Sequence, residues 1–271
     1  MNVQPIGLFD SSLGGLTVYK EVKKILPNES YIYFGDTGRS PYGSRPVSEL
    51  KSFVKQIIQF MQQHKAKAIV IACNTVTALG LEQLSQEFRI PLIGVSRIPE
   101  LTVATTRNKR VGVIGTEITV RSGLHKEDIL HIDPAVQVFY MACPQFTPIL
   151  NSGDLAGKEA REAVAEYLTP LKAAHIDTLV LGCTAFPFLL PVIREFMGEG
   201  VTILDPAAET ARQLLRSLQQ AGRLNNSGNP ANTLFFSEPD LEKIRLIAGK
   251  IIDVDDCSFQ YLDMDQGREP A

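Results

Sequence analysis

The 271-residue sequence predicts an α/β protein built as two related halves with mostly parallel sheets. Three observations carry that expectation. Short aliphatic and β-branched runs alternate with helix-periodic stretches along almost the whole chain, the βαβ pattern of a parallel sheet with helices on both faces. The segment Val111-Gly112-Val113-Ile114-Gly115-Thr116 resembles the opening strand Ile6-Gly7-Leu8-Phe9-Asp10-Ser11, at an offset of 105 residues. Two cysteines 110 residues apart also share nearly the same surroundings, Ala68-Ile69-Val70-Ile71-Ala72-Cys73-Asn74-Thr75 and Thr178-Leu179-Val180-Leu181-Gly182-Cys183-Thr184-Ala185. Repeats at such similar offsets point to duplication, with one cysteine contributed by each half.

The elements follow in order. Residues 6–9 read as the first strand. After Gly14-Gly15, Leu16, Tyr19, Val22 and Ile25 or Leu26 recur at the spacing of a buried helical stripe, which Pro27-Asn28 ends. Residues 31–34 form the next strand, and a loop covers residues 36–43. Leu50, Phe53, Val54, Ile57, Ile58 and Met61 mark a long amphipathic helix. The Cys73 strand comes next, then a single helix over residues 76–87 and a strand at 91–95. From about residue 96 the pattern begins again. Asp205-Pro206 reads as the cap and first residue of a helix running to Ala221. Residues 222–232, rich in Asn, Gly and Pro, form a loop. A strand at 233–236 follows, then a helix behind Ser237-Glu238-Pro239-Asp240, which fits a capping box. Residues 266–271 read as a loose tail.

Composition narrows the function classes. Hydrophobic residues make up 44% and charged residues 21%, which is ordinary for a soluble globular protein. A net charge of −3 leaves no electrostatic footprint for nucleic acid or an anionic membrane. The N-terminal residues lack the pattern of a signal peptide. The most apolar window, residues 178–193, is broken by Pro187 and Pro191 and is too short to span a bilayer. A cytoplasmic location is therefore expected. Cys73, Cys143, Cys183 and Cys257 form no C-x-x-C pair, and the four histidines are scattered, so neither a metal site nor a disulfide is expected. Cys143, at the end of another predicted strand, reads as a small buried hydrophobe, and Cys257 as incidental.

A continuous apolar run reads as a strand buried on both faces. Each of the paired thiols then lies at a strand's C-terminal tip, where open α/β sheets bind ligands, and beside a helix N-terminus that favours thiolate. Two such thiols suit an acid/base pair. Asp10-Ser11-Ser12-Leu13-Gly14-Gly15 links the first strand to the first helix, so its backbone N–H groups are placed to face an anion. A purely structural turn explains the same residues. The dinucleotide pattern G-x-G-x-x-G is absent. Asn74-Thr75 and Thr184 follow the thiols and are suited to gripping a carboxylate or ammonium, or to capping helices.

Together these motifs resemble the glutamate racemase family, within the cofactor-independent aspartate/glutamate racemase superfamily. The resemblance covers nearly the whole chain. It rests on the segments 10–18, 34–43, Ala72-Cys73-Asn74-Thr75, 111–116 and Leu181-Gly182-Cys183-Thr184. It implies two pseudo-symmetric αβα domains facing each other across a cleft, residues 1–96 plus 206–271 carrying Cys73 and residues 97–205 carrying Cys183. It also implies that one thiolate removes the Cα proton of an acidic amino acid while the other thiol protonates the opposite face. Asp10 would assist Cys73. Ser11, Pro41, Tyr42, Gly43, Asn74, Thr75, Thr119 and Thr184 match positions that hold substrate. No cofactor is implied, and a homodimer is common in the family.

Several positions depart from the family pattern. Ala185 stands where a His usually follows the second Cys-Thr, and Asn151 where a Glu usually lies eight residues after Cys143. Ser12 replaces a Gly, Val76 an Ala, and Ser96-Arg97-Ile98-Pro99 a proline-centred segment. Both missing ionisable groups belong to the Cys183 side, and Arg97 adds a cation near the end of a first-half strand. With Ala185 and Asn151, that cation is an argument for the shorter substrate aspartate, against glutamate as the family default. Superfamily decarboxylases and isomerases generally change one cysteine, so retention of both argues against them. A non-catalytic or inhibitory binding protein that kept the cleft is the alternative of another class.

Overall fold

The computed structural model describes residues 3–225 and 230–264; the segment read as a loose tail, 266–271, lies outside them. Ten strands are present among these residues: β1 (Ile6–Asp10), β2 (Tyr31–Gly35), β3 (Ala68–Ile71), β4 (Leu92–Gly94), β5 (Arg110–Gly115), β6 (Gln137–Ala142), β7 (Thr178–Gly182), β8 (Thr202–Leu204), β9 (Asn232–Phe236) and β10 (Ser258–Tyr261). They form two sheets, ordered β10-β9-β2-β1-β3-β4 and β6-β5-β7-β8. Neighbouring strands pair in parallel in both. The order β2-β1-β3-β4 matches β6-β5-β7-β8 one for one, so the duplication read from the sequence is visible in the topology. β1 is the counterpart of β5, and the Cys73 strand β3 is the counterpart of the Cys183 strand β7.

Register then places the chemistry. Phe9 pairs with Ile71, so Asp10 and Cys73 both emerge past the C-terminal edge of the first sheet. Gly115 pairs with Gly182, so Thr116 and Cys183 leave the second sheet together. Strand alternation assigns the faces. Ile6, Leu8, Tyr31, Tyr33 and Val70 pack with Leu16, Tyr19 and Val22 of the helix Leu16–Ile25, and this core continues into Ile114, Leu179 and Leu181 of the second sheet. Phe9, Ile32, Phe34, Ile69 and Ile71 face the other way, onto Leu50, Val54 and Ile57 of the helix Val47–Gln63. Val111, Val113 and Val180 close the outer face of the second sheet against Ile129. One hydrophobic core is thus shared by the two sheets.

Three details differ from the sequence reading. The helix expected over 76–87 is two helices, Asn74–Ala78 and Leu81–Glu87, because Gly80 adopts φ 117 between them. That conformation is accessible to glycine and costly for other residues. The capping box does not form on Ser237. Asp240 caps the helix Leu241–Ala248 by accepting from Lys243 N at 3.1 Å, while Ser237 Oγ donates to Asp36. The edge strand β10, short and half-exposed, was not anticipated. Among the described residues no helix is long and apolar enough to cross a membrane.

An ion pair is sealed at the opposite end of the first sheet. Lys67 Nζ lies 2.5 Å from Glu29, with both side chains essentially without exposure. Lys67 also donates to the Arg223 carbonyl at 2.8 Å, and Asn225 N donates to Glu29 at 2.8 Å. The pair therefore ties the turn before β2, the start of β3 and the chain leaving the helix Ala207–Gln220 into one knot. Removing one partner strands a buried charge, so Lys67→Met is expected to lower unfolding stability by about 3–5 kcal/mol. Urea denaturation measures it; a loss below about 1 kcal/mol would mean that Asn225 and solvent suffice for Glu29.

Candidate active site

The C-terminal ends of the two sheets converge on a partly enclosed cavity. Cys73 and Cys183 both line it, and so does Asp10. Ser11, Pro41, Tyr42, Gly43, Asn74, Thr75 and Thr184 complete the predicted set that the structure brings together here. Thr119 is the exception.

Asp10 is the electrostatic centre of the cavity. It ends β1 with 1% exposure, and its carboxylate accepts from Gly15 N at 2.7 Å, Ser11 Oγ at 3.4 Å and Ser12 Oγ at 3.5 Å. A fourth donor, Thr184 Oγ1 at 3.3 Å, comes from the second half. The Gly15 N–H therefore faces an anion belonging to the chain itself, while the Gly14 N–H donates to Ser12 Oγ at 3.2 Å. A Cβ on Gly15 would meet Asp10 Cβ at 2.6 Å, so only glycine allows this approach. Burial raises the Asp10 pKa from 3.8 to about 6, opposed by hydrogen bonding to Cys73, to the Ser11 and Gly15 backbone and to Thr184.

The two thiols differ in surroundings. Cys73 precedes the helix Asn74–Ala78 and is 3% exposed, with its sulfur 3.7 Å from Ser11 Oγ. Burial pushes its pKa well above the usual 9.0. Asp10 and Cys183 add to that rise, while Val76 N–H and Ser11 oppose it. Cys183 precedes the 3₁₀ turn Phe186–Leu189. Burial pushes it up to about 12, opposed by the N–H groups of Ala185 and Phe186 and by the Thr147 hydroxyl, with Asp10 acting upward. Burial thus favours the protonated form of both thiols. Cys73 has the Asp10 carboxylate beside it, and Cys183 has neutral donors.

The remaining wall comes from the 36–43 loop. Asp36, with no exposed side-chain surface, forms a 2.7 Å ion pair with Arg39 and accepts from the Tyr42 hydroxyl and from Ser237. This buried hub shapes the two 3₁₀ turns Thr37–Arg39 and Tyr42–Ser44 and holds Tyr42 and Gly43 at the cavity. Gly43 lies against Thr116 so closely that a Cβ would meet Thr116 Cβ at 2.9 Å.

Thr119 sits one layer behind. Its hydroxyl and N–H contact Thr116 Oγ1 at 3.0 and 3.3 Å, and Thr116 in turn meets Thr75 Oγ1 at 2.9 Å. Thr119 thus supports a hydroxyl chain that bridges the halves and reaches the site through Thr116. Capping does not explain Thr75, whose hydroxyl is engaged across the cleft. Thr116, Cys143, Pro144 and Thr147 line the cavity without having been anticipated. A signal existed for Thr116, because the 105-residue repeat makes it the counterpart of Ser11. Cys143 is buried as expected, at 1% exposure, but its place is the cavity wall at the end of β6.

The argument from Arg97 is corrected. Its guanidinium pairs with Asp128, and it lines two neighbouring cavities instead of this one. Ala185 and Asn151 are absent from the lining as well. Ala185 packs its backbone against Gly14, where a Cβ would meet Ala185 N at 2.6 Å. Among the described residues no group of three His, Cys, Asp or Glu side chains is placed to hold a metal ion.

Two thiols that follow equivalent strands of a duplicated α/β frame and line one cavity fit the class of two-cysteine amino-acid racemases. The profile of the Asp/Glu/Hydantoin racemase family matches residues 6–214, and the chain belongs to that family. A glutamate racemase from Levilactobacillus brevis is 43% identical over 255 residues, covering 93% of this chain and 92% of that one. Among solved structures, the glutamate racemase isoform RacE1 from Bacillus anthracis aligns with TM-score 0.88 and 35% identity, over 97% of this chain and 98% of that one. The glutamate racemase from Francisella tularensis in complex with D-glutamate aligns with TM-score 0.86 and 30% identity, over 98% and 100%.

Asp10 can take a proton from Cys73 only when it is itself ionised. Racemase kcat/KM is therefore expected to fall toward acid with an apparent pKa near 6. A pH–rate profile that stays flat from pH 8 to pH 5 would remove Asp10 from proton transfer.

Proposed function

We propose that this protein interconverts L- and D-glutamate without a cofactor, with Cys73 and Cys183 as the opposed proton carriers. The observation that carries the reading is the pair of thiols on equivalent strands lining one cavity. One thiolate takes the Cα proton and becomes a thiol. The other thiol gives its proton to the opposite face of the planar carbanion and becomes the thiolate. The reverse reaction exchanges the roles, so two groups of one kind serve both directions. Asp10 relays the proton of Cys73.

Substrate anchoring rests on the donors around the thiols. Asn74 Nδ2 is buried with no hydrogen-bond partner, a donor that a substrate carboxylate would satisfy. Ser11, Thr75 and Thr184 add hydroxyls, while Pro41, Tyr42 and Gly43 form the facing wall. Fixed donors at the α-carboxylate stabilise the charge that develops as the proton leaves. Full-length likeness to glutamate racemases supports glutamate over aspartate, and the ion-paired Arg97 no longer argues for the shorter substrate.

The proposal extends to a cytoplasmic homodimer supplying a D-amino acid for cell-wall synthesis, as the family reading implies. It also divides the chain into a first domain, residues 1–96 plus 206–271, and a second, 97–205. The fall of β1–β4, β9 and β10 into one sheet and of β5–β8 into the other supports that division.

The test is incubation with each enantiomer of glutamate and aspartate without added cofactor, read by chiral chromatography. Cα deuterium uptake from heavy water provides the second readout. Glutamate is expected to racemise and neutral amino acids to fail. Cys73→Ala and Cys183→Ala should each lower turnover by at least ~100-fold, the scale of a positioned general base. Near-normal racemisation by either variant would sink the two-thiol mechanism, and glutamate binding without turnover would point to the non-catalytic alternative.

A further inference from the structure

His125 lies outside the substrate cavity, yet its ring is buried with its polar atoms unpaired. It belongs to the helix Leu124–Ile132 and is 2% exposed, and among the described residues neither Nδ1 nor Nε2 has a hydrogen-bond partner. Folded proteins satisfy nearly all such groups, with protein or with ordered water. Packing fixes where the ring lies. A Cβ built on Gly182, the residue before Cys183, would meet Thr119 Cγ2 at 3.5 Å and His125 Cε1 at 3.6 Å. The imidazole therefore rests over the end of β7, beside Thr119.

There it lines a second, much smaller cavity between the two halves. The volume is ≈ 10 Å³, about the room that one water molecule needs. Asn74, Thr77 and Val95 line it from the first half, and Thr119, Ser122 and His125 from the second. Arg97 lines it too, with its guanidinium paired to Asp128. The nearby hydroxyls are already engaged. Thr77 Oγ1 donates to the Cys73 carbonyl at 2.9 Å and accepts from Val95 N at 3.2 Å, and Ser122 Oγ donates to the Thr119 carbonyl at 2.7 Å.

Asn74 is the one residue that lines both this cavity and the substrate cavity. Its Nδ2 is the other buried polar atom of the lining without a partner. An amide nitrogen carries two N–H donors, so one can serve a substrate carboxylate while the second turns the other way. Burial lowers the His125 pKa from 6.5 to about 4, with Arg97 acting in the same direction and Asp128 against it. At neutral pH the ring is uncharged, with one nitrogen free to accept.

We propose that this cavity is an internal hydration site, whose water accepts from Asn74 Nδ2 and donates to a ring nitrogen of His125. His125 is then a positioning residue, holding through that water the amide that faces the substrate. The inference rests on the reading of Asn74 as a substrate donor. No proton is transferred at either residue. Two polar partners are within what a buried water requires.

The experiment uses the full chain. A crystal structure that resolves ordered water is expected to show one molecule within about 3.2 Å of both Asn74 Nδ2 and a His125 nitrogen. A dry cavity, or a water out of reach of Asn74, overturns the inference. Kinetics and urea unfolding are then measured for His125→Phe, which keeps a ring and loses the nitrogens, and for His125→Gln, which keeps polar atoms. His125→Phe is expected to lower kcat/KM for glutamate about fivefold or more, the scale of one hydrogen bond. Both directions fall by the same factor, because the equilibrium constant of a racemisation is one. His125→Gln should recover most of the loss.

If His125→Phe raises the urea midpoint and leaves kcat/KM unchanged while Asn74→Ala lowers it, the histidine is an orphaned core residue. The inference then falls and the substrate role of Asn74 stands. Normal racemisation by Asn74→Ala would overturn both.

Discussion

The Asp10 carboxylate is buried where the two halves of the molecule meet, and most of the site is arranged around keeping it there. It draws the Gly14-Gly15 turn inward, receives a hydroxyl from Thr184 of the other half, and lies beside the Cys73 thiol. The neighbouring Ser12 carbonyl is held by the Tyr33 hydroxyl at 2.8 Å, so the loop carrying this anion is fastened to the sheet beneath. Burial is costly for such a group. Folded Asp10 holds its proton up to about pH 6 against an ordinary 3.8, so its contribution to stability is fullest below about pH 4 and is lost as pH rises through about 6. The loss is on the order of 3 kcal/mol. At the pH where Asp10 is ionised it therefore weakens the fold, as carboxylates buried at functional sites commonly do.

Around that anion the halves interlock through a few close contacts. Thr75 meets Thr116 on one side of the cavity, and Thr17 Oγ1 donates to the Thr184 carbonyl at 3.3 Å on another. Gly14 lies against the Ala185 backbone and Gly43 against Thr116. Behind these contacts one continuous core spans both sheets. The cavity is thus shaped by packing before any ligand arrives, which lowers the cost of orienting a substrate between the thiols.

Within this near-symmetric frame the two thiols are served differently. Cys73 has a carboxylate partner whose charge also opposes thiolate formation, so transfer from thiol to Asp10 keeps the net charge constant. Cys183 relies on the backbone N–H groups of Ala185 and Phe186 and on Thr147. Neutral donors lower a thiol's pKa without adding a second anion to a pocket that must admit an acidic substrate. Duplication supplied the scaffold, and divergence of the loops beyond β6 and β7 produced the asymmetry.

Much of this was legible in the chain. Alternating apolar runs specified the parallel strands, because a strand buried on both faces needs that composition wherever it lies. The two matched cysteine segments and the 105-residue echo identified the duplication, and motif likeness named both thiols, Asp10 and seven further residues that line the cavity. The break at Gly80 was missed because helical periodicity on either side outweighed a single glycine. Ser237 was misread because its hydroxyl is claimed by Asp36, a partner two hundred residues away in the chain. Arg97 looked like a substrate cation until its pairing with Asp128 was visible. Local pattern therefore determined which segments are strands and which side chains are reactive. Only the tertiary structure decided which distant groups share a cavity, that Asp10 is buried between the halves, and that Cys143 and Thr147 join its wall. Burial and long-range pairing depend on how the two sheets pack, and neither is encoded in any short stretch of sequence.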